Sequence, residues 1–179
     1  MKRLFLFAVL AMLSMSTLSY AQFAGTGTTT LAVTVGTEAA IRIDTASTAL
    51  SAAGTTFANP FSGTTHFTYK VRTTKVGGSG TITLKVTTDF AGTGGPSVAT
   101  PPTAGDALTY TCALAGVGTA CTSAVTASTT ASTNVATFAT DTKSSSAGDT
   151  GTVLWSLTND PVYATGTYNA TVTFTVSAA

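Results

Sequence analysis

Apolar and polar residues alternate with a period of two along most of the chain. After residue 21 no stretch of useful length carries a helical period. A period of two sends successive side chains to opposite faces of a strand, so it predicts sheets with one buried face. The clearest case ends the sequence, where Tyr168, Ala170, Val172, Phe174 and Val176 share one face and Thr167, Asn169, Thr171, Thr173 and Thr175 the other. Residues 66–72 repeat the pattern with Phe67, Tyr69 and Val71, and residues 81–88 with Ile82, Leu84 and Val86. The glycine-rich residues 76–80 between them predict a hairpin. Shorter strands are predicted at 38–44, 107–114, 134–140 and 151–157, and residues 45–59 read as a loop with at most one turn of helix. Pro96, Pro101 and Pro102 rule out a central strand between 91 and 105. Seven or eight short strands separated by turn signals predict an all-β, antiparallel sandwich.

Residues 22–35, QFAGTGTTTLAVTV, stand apart. Phe23, Gly25, Gly27, Thr29, Leu31, Val33 and Val35 make one face, and Ala24, Thr26, Thr28, Thr30, Ala32 and Thr34 the other. Glycine costs backbone entropy and offers nothing to pack, so the first half does not hold a sheet of its own. A free extended arm with a few apolar knobs suits insertion at a neighbour's sheet edge. The sequence therefore divides into a leader, 1–21, an arm, 22–36, with Gly36 as its hinge, and a domain, 37–179.

The leader assignment rests on Lys2 and Arg3, an apolar run over 4–13, and Ser19-Tyr20-Ala21 before the expected cleavage. The run is short of the ~20 residues that span a bilayer, and no later stretch is longer, so the mature chain is expected to be secreted without a membrane span. Losing Lys2 and Arg3 from the eight basic residues leaves six against seven acidic, or about −1. That argues against nucleic acid as a partner, which needs a basic surface. Only 8% of the chain is charged. Threonine fills the outward positions instead, at roughly a quarter of all residues, and favours strands. Such a surface repels other copies weakly and suits a chain that lives assembled.

Cys112 and Cys121 are the only cysteines, and an even count in an exported chain reads as one disulfide, clipping adjacent strands or a tight loop. Catalytic chemistry finds little footing. His66 is the only histidine and falls on an outward position; Glu38 is the only glutamate; no nucleophile-elbow motif, paired carboxylates, calcium loop or metal-ligand spacing is present. Neither an enzyme nor a cofactor is expected. Trp155 and Tyr110 fall in apolar registers, as core residues do, while Phe57, Phe61, Phe90 and Tyr163 lie in loops or turns.

The ending GTYNATVTFTVSA resembles the final strand of chaperone–usher pilins and spore coat protein U domains, and the arm resembles a pilin N-terminal extension. The resemblance covers about fifteen residues at each end of the mature chain. It implies an immunoglobulin-like sandwich, incomplete until a neighbour's arm supplies a strand. Phe23, Leu31, Val33 and Val35 would then be the knobs, Gly25 or Gly27 the close-approach position, and Tyr168, Val172, Phe174 and Val176 the border of the acceptor groove. The implied function is a pilus or fimbrial subunit polymerising head-to-tail. A periplasmic chaperone and an outer-membrane assembly protein would be the further partners. A secreted adhesin or carbohydrate-binding module, or a surface-coat protein, remains the alternative.

Overall fold

The structure, a computed structural model, describes residues 28–54 and 56–179. The expected leader lies outside them. Two compact units divide the chain, Met1–Thr34 and Val35–Ala179. In the first, residues 28–34 form no strand and are exposed throughout.

The second unit holds β1 (Glu38–Ile43), β2 (Ser51–Ala52), β3 (Phe61–Arg72), β4 (Gly80–Thr88), β5 (Thr109–Ala115), β6 (Thr119–Ala120), β7 (Val125–Thr126), β8 (Thr133–Phe138), β9 (Asp149–Leu157) and β10 (Thr171–Ala178). No helix occurs among the described residues. All pairing is antiparallel. The first sheet runs β1-β3-β9-β5-β7 with β2 also on β3, and the second runs β10-β4-β8-β6. This is an all-β architecture of two antiparallel sheets, with three of the ten strands only two residues long.

Burial follows the alternation. Phe67, Tyr69 and Val71 of β3, Ile82, Leu84 and Val86 of β4, and Val153, Trp155 and Leu157 of β9 form one core cluster. Tyr110 and Trp155 pack with ring centroids 5.4 Å apart, and Tyr69 and Phe138 at 5.5 Å. In β8 two successive residues, Val135 and Ala136, are both buried. A register shift between Ile82 and Thr83 of β4 accommodates this, so the irregular pattern of 134–140 is a bulge.

Three features depart from the sequence reading. First, β3 and β4 are not a hairpin: β3 pairs with β1, β2 and β9, and β4 with β10 and β8. The connection crosses between sheets, with its backbone served elsewhere. Thr73 N–H reaches Thr142 O at 3.0 Å, and Thr74 and Ser79 N–H both reach Ala179 O, at 3.1 and 3.2 Å. Alternation identifies two apolar faces but not whether they lie side by side or across the core. Second, residues 51–52, expected in a loop, pair with β3. Third, the last strand begins at Thr171, so Tyr168 is not part of it. The physical reason sits in its partner. β4 stops at Thr88, and the next residue, Asp89, accepts the N–H groups of Phe90, Val98 and Ala99. That turn takes the chain out of strand pairing, and the loop that follows packs on the face of the Tyr168 ring instead of beside its backbone.

The disulfide Cys112–Cys121 is formed, with a Cα–Cα distance of 5.2 Å. It joins β5 of the first sheet to the end of β6 in the second. The turn between them is pinned as well. Val117 N–H reaches Asp149 Oδ2 at 3.0 Å, and the Tyr69 hydroxyl donates to Val117 O. Gly118 has φ +107°, and a Cβ there would stand 2.6 Å from the Phe138 ring, so both backbone and space demand glycine.

Candidate functional site

Opposite the disulfide flank, each sheet ends on an edge strand, β1 and β10. β1 covers only the second half of β3, from Phe67 to Arg72. Where β1 stops, a groove of about 1000 Å³ opens between residues 43–50 and residues 159–174. Its floor is apolar: Phe61, Leu108, Trp155 and Leu157 reach it from the core, and Leu50 and Phe90 from the rims. One polar group is buried there. The Thr65 hydroxyl accepts the Trp155 Nε1–H at 2.9 Å and pairs with the Thr48 hydroxyl at 2.6 Å.

The far wall is tied down by side chains. The Tyr163 hydroxyl donates to Asp106 Oδ2 at 3.0 Å. Burial, and then the carboxylate beside it, hold the Tyr163 pKa well above its ordinary value. Asp160 is held below the usual carboxylate range by the Thr103 hydroxyl and the Val162 N–H. The Tyr168 hydroxyl donates to Ala164 O at 2.9 Å. A Cβ on Gly95 would lie 2.1 Å from the Tyr168 ring, so the loop passes flat beneath it.

β10 forms the remaining border. Val172, Phe174 and Val176 stand opposite Val86, Leu84 and Ile82 of β4. The β4 residues are at most 1% exposed, while their β10 partners are half-buried. Register and residue type match, so the difference lies in what covers each strand. β10 pairs with β4 alone among the described residues. Its other edge presents unpaired backbone groups, the arrangement that accepts a further strand.

The residues named from sequence fall as follows. Tyr168, Val172 and Phe174 line the groove. Val176 lies further along β10, outside the lining. Leu31, Val33 and Val35 are 90%, 86% and 63% exposed. Phe23, Gly25 and Gly27 lie outside the described residues. Sequence reasoning missed the opposite rim, residues 43–50. One signal for it existed in Gly63, a glycine inside a strand, which marks close backbone approach. A Cβ there would meet Ala49 O at 2.4 Å.

A smaller hollow of about 350 Å³ on the first sheet includes His66 and Asp44. The Asp44 carboxylate is committed to the Thr68 hydroxyl and Arg42 Nε, both at 2.6 Å, and these hold its pKa low. It does not orient His66 as a base. No group of three or more potential metal ligands gathers among the described residues. No protein-family model, curated protein or solved structure matches the chain.

Proposed function

We propose that this chain is the structural subunit of an extracellular filament, each copy laying its N-terminal arm into the groove of the next. The observation that carries the reading is β10: a strand with its apolar alternates half-buried and one edge unpaired, beside a long apolar groove. The strand order β1-β3-β9-β5 over β10-β4-β8 resembles an immunoglobulin-like sandwich in which, among the described residues, no strand is hydrogen-bonded to the far edge of β10. The arm supplies the complement, with Leu31, Val33 and Val35 on one face and all three exposed.

Burying such side chains contributes roughly 1.5–3 kcal/mol each, and backbone bonds along β10 add a net ~0.5–1.5 kcal/mol each, less the cost of ordering the arm. The contact is head-to-tail, so it builds open filaments when the rotation does not close. An exposed apolar edge invites mispairing before assembly, which gives a periplasmic chaperone and an outer-membrane assembly protein a role as partners. The leader and the disulfide fit export. The chain acts by assembly, without catalysis or cofactor.

Deletion of residues 22–35 tests this. The truncated protein should fold, stay monomeric by size-exclusion, and leave no fibres on the producing cell by electron microscopy. A synthetic peptide of residues 22–35 should then raise its melting temperature by mass action. Retained fibres, or a peptide without effect, would overturn the reading. A stable full-length monomer that binds glycan would favour the carbohydrate-binding alternative.

A further inference from the structure

We propose that the Thr48 hydroxyl is the hydrogen-bond donor that reads the incoming arm, giving its proton to a main-chain carbonyl on the arm edge turned away from β10; this rests on the filament reading above. Three polar groups meet in the floor of the groove. The Trp155 indole can only donate, and its Nε1–H goes to Thr65 Oγ1 at 2.9 Å. The Thr65 and Thr48 hydroxyls pair at 2.6 Å, and neither has a further partner among the described residues.

Each hydroxyl brings one hydrogen, so two arrangements exist. If Thr48 donates, the Thr65 hydrogen has no acceptor on a residue only 6% exposed. A buried donor left alone is costly. If Thr65 donates, the chain of bonds runs from Trp155 to Thr65 to Thr48, and the spare hydrogen sits on Thr48. That residue is half-buried and lines the groove, where water can take the hydrogen in a free subunit. The second arrangement satisfies every buried group.

The donor is also held in place. A Cβ at Gly63 would lie 3.0 Å from Thr48 Cγ2 and 2.4 Å from Ala49 O. The Thr48 methyl therefore rests on the bare backbone of β3 while its oxygen meets Thr65. Both branches are fixed, and a β-branched side chain has one torsion to fix, so little freedom is left to lose on binding.

The arm offers the matching chemistry. Residues 22–35 carry no charged side chain. Asp160 is the only charged residue lining the groove, and its Oδ1 already accepts the Val162 N–H at 2.7 Å. Successive residues of a strand turn their N–H and C=O groups to opposite edges. With one edge on β10, the other faces residues 43–50 and finds no ladder there. Once the arm excludes water, the Thr48 hydrogen and an arm carbonyl are each stranded alone and satisfied together.

The test measures a labelled peptide of residues 22–35 binding to the unassembled mature chain, with urea unfolding of the same samples. T48V keeps the methyl and loses the donor; it should weaken binding roughly three- to ten-fold. T48S keeps the donor and should stay within about two-fold of wild type. T65V strands the Trp155 N–H, so it should lower the urea midpoint yet weaken the peptide less than T48V does. Should T48V not fold, T48A against T48S carries the same comparison. T48V binding like wild type, or T48S binding as weakly as T48V, would overturn the inference and leave the filament reading standing. T65V weaker than T48V would make Thr65 the donor and overturn it equally. A wild-type chain that does not bind the peptide removes the filament reading, and this contact with it.

Discussion

The two flanks of the sandwich begin from the same residue pattern and end differently. At one flank β5 and β6, strands of opposite sheets, are joined by the Cys112–Cys121 bond. The turn between them is held by Asp149 and Tyr69 and packed on Phe138. At the other, β1 and β10 carry no covalent tie, and the apolar alternates of β10 are left half-covered. An alternating strand is buried to the degree that something lies beyond it. At the closed flank the fixings tie one sheet to the other. At the open flank the hydrogen bonds of Tyr163, Tyr168 and Thr65 hold the walls of the groove and leave the far edge of β10 without a paired strand among the described residues.

The largest test sets one phenylalanine against another. Phe138 is 3% exposed on the closed flank and stacks on Tyr69. Phe138→Ala should cost ~3–5 kcal/mol. Phe174, half-buried on the open flank with its ring centroid 6.0 Å from that of Phe67, should cost about 1–2 kcal/mol as Phe174→Ala, because much of its surface already meets water. Urea unfolding of the unassembled protein measures both. Equal costs would end the distinction between the flanks.

Next in size is the covalent tie. Cys112→Ala with Cys121→Ala should lower stability by about 2–3 kcal/mol, since the closed loop is short. The loss should appear as a lower urea midpoint with fibres still formed. Fibres lost together with the bond would mean that the closed flank also builds the acceptor.

A smaller effect follows from acid. Burial pushes the Asp149 pKa up, but the N–H groups of Val117 and Ser145 outweigh it and hold the carboxyl below its ordinary value. A depressed folded pKa stabilises the fold above the unfolded value of ~3.9, and the benefit fades as pH falls through the folded value. Asp149→Asn should therefore cost about 1 kcal/mol near neutrality, allowing for solvent screening, and should flatten the stability curve below about pH 4. Thermal melts from pH 2 to 7 check this. An unchanged acid limb would show that the turn is held by packing alone.

How much of this was legible in the sequence depended on range. Strand faces were readable because burial imposes a period of two: Phe67, Tyr69, Ile82, Leu84, Val153 and Trp155 were all placed inward and are. Cys112 and Cys121 announced their bond by being the only pair. Partnership between strands was not readable, because β3 and β4 show the same alternation whether paired or opposed. The start of β10 is hidden for a similar reason: Tyr168 continues the alternation, but the end of β4 is taken out of pairing by the Asp89 turn, 79 residues earlier in the chain. The groove combines both difficulties. Its β10 border was visible as pattern, while most of its other rim, residues 45–50, carries no alternation and is placed by packing on Gly63 of β3.

The smallest change in the free subunit should be the most informative about the open flank. Val172 is half-buried at the head of β10 and lines the groove. Val172→Thr keeps the shape and the β-branched preference for strands. In the unassembled protein the new hydroxyl can reach water, so the cost should stay below about 1 kcal/mol. With a strand laid beside β10 the same hydroxyl is cut off from water, and leaving it unsatisfied costs ~1–3 kcal/mol. Binding of the residue 22–35 peptide should therefore weaken by about ten-fold while the urea midpoint barely moves. A substitution that lowered both equally would mean that Val172 is already covered in the single subunit, and that the flank read here as open is closed.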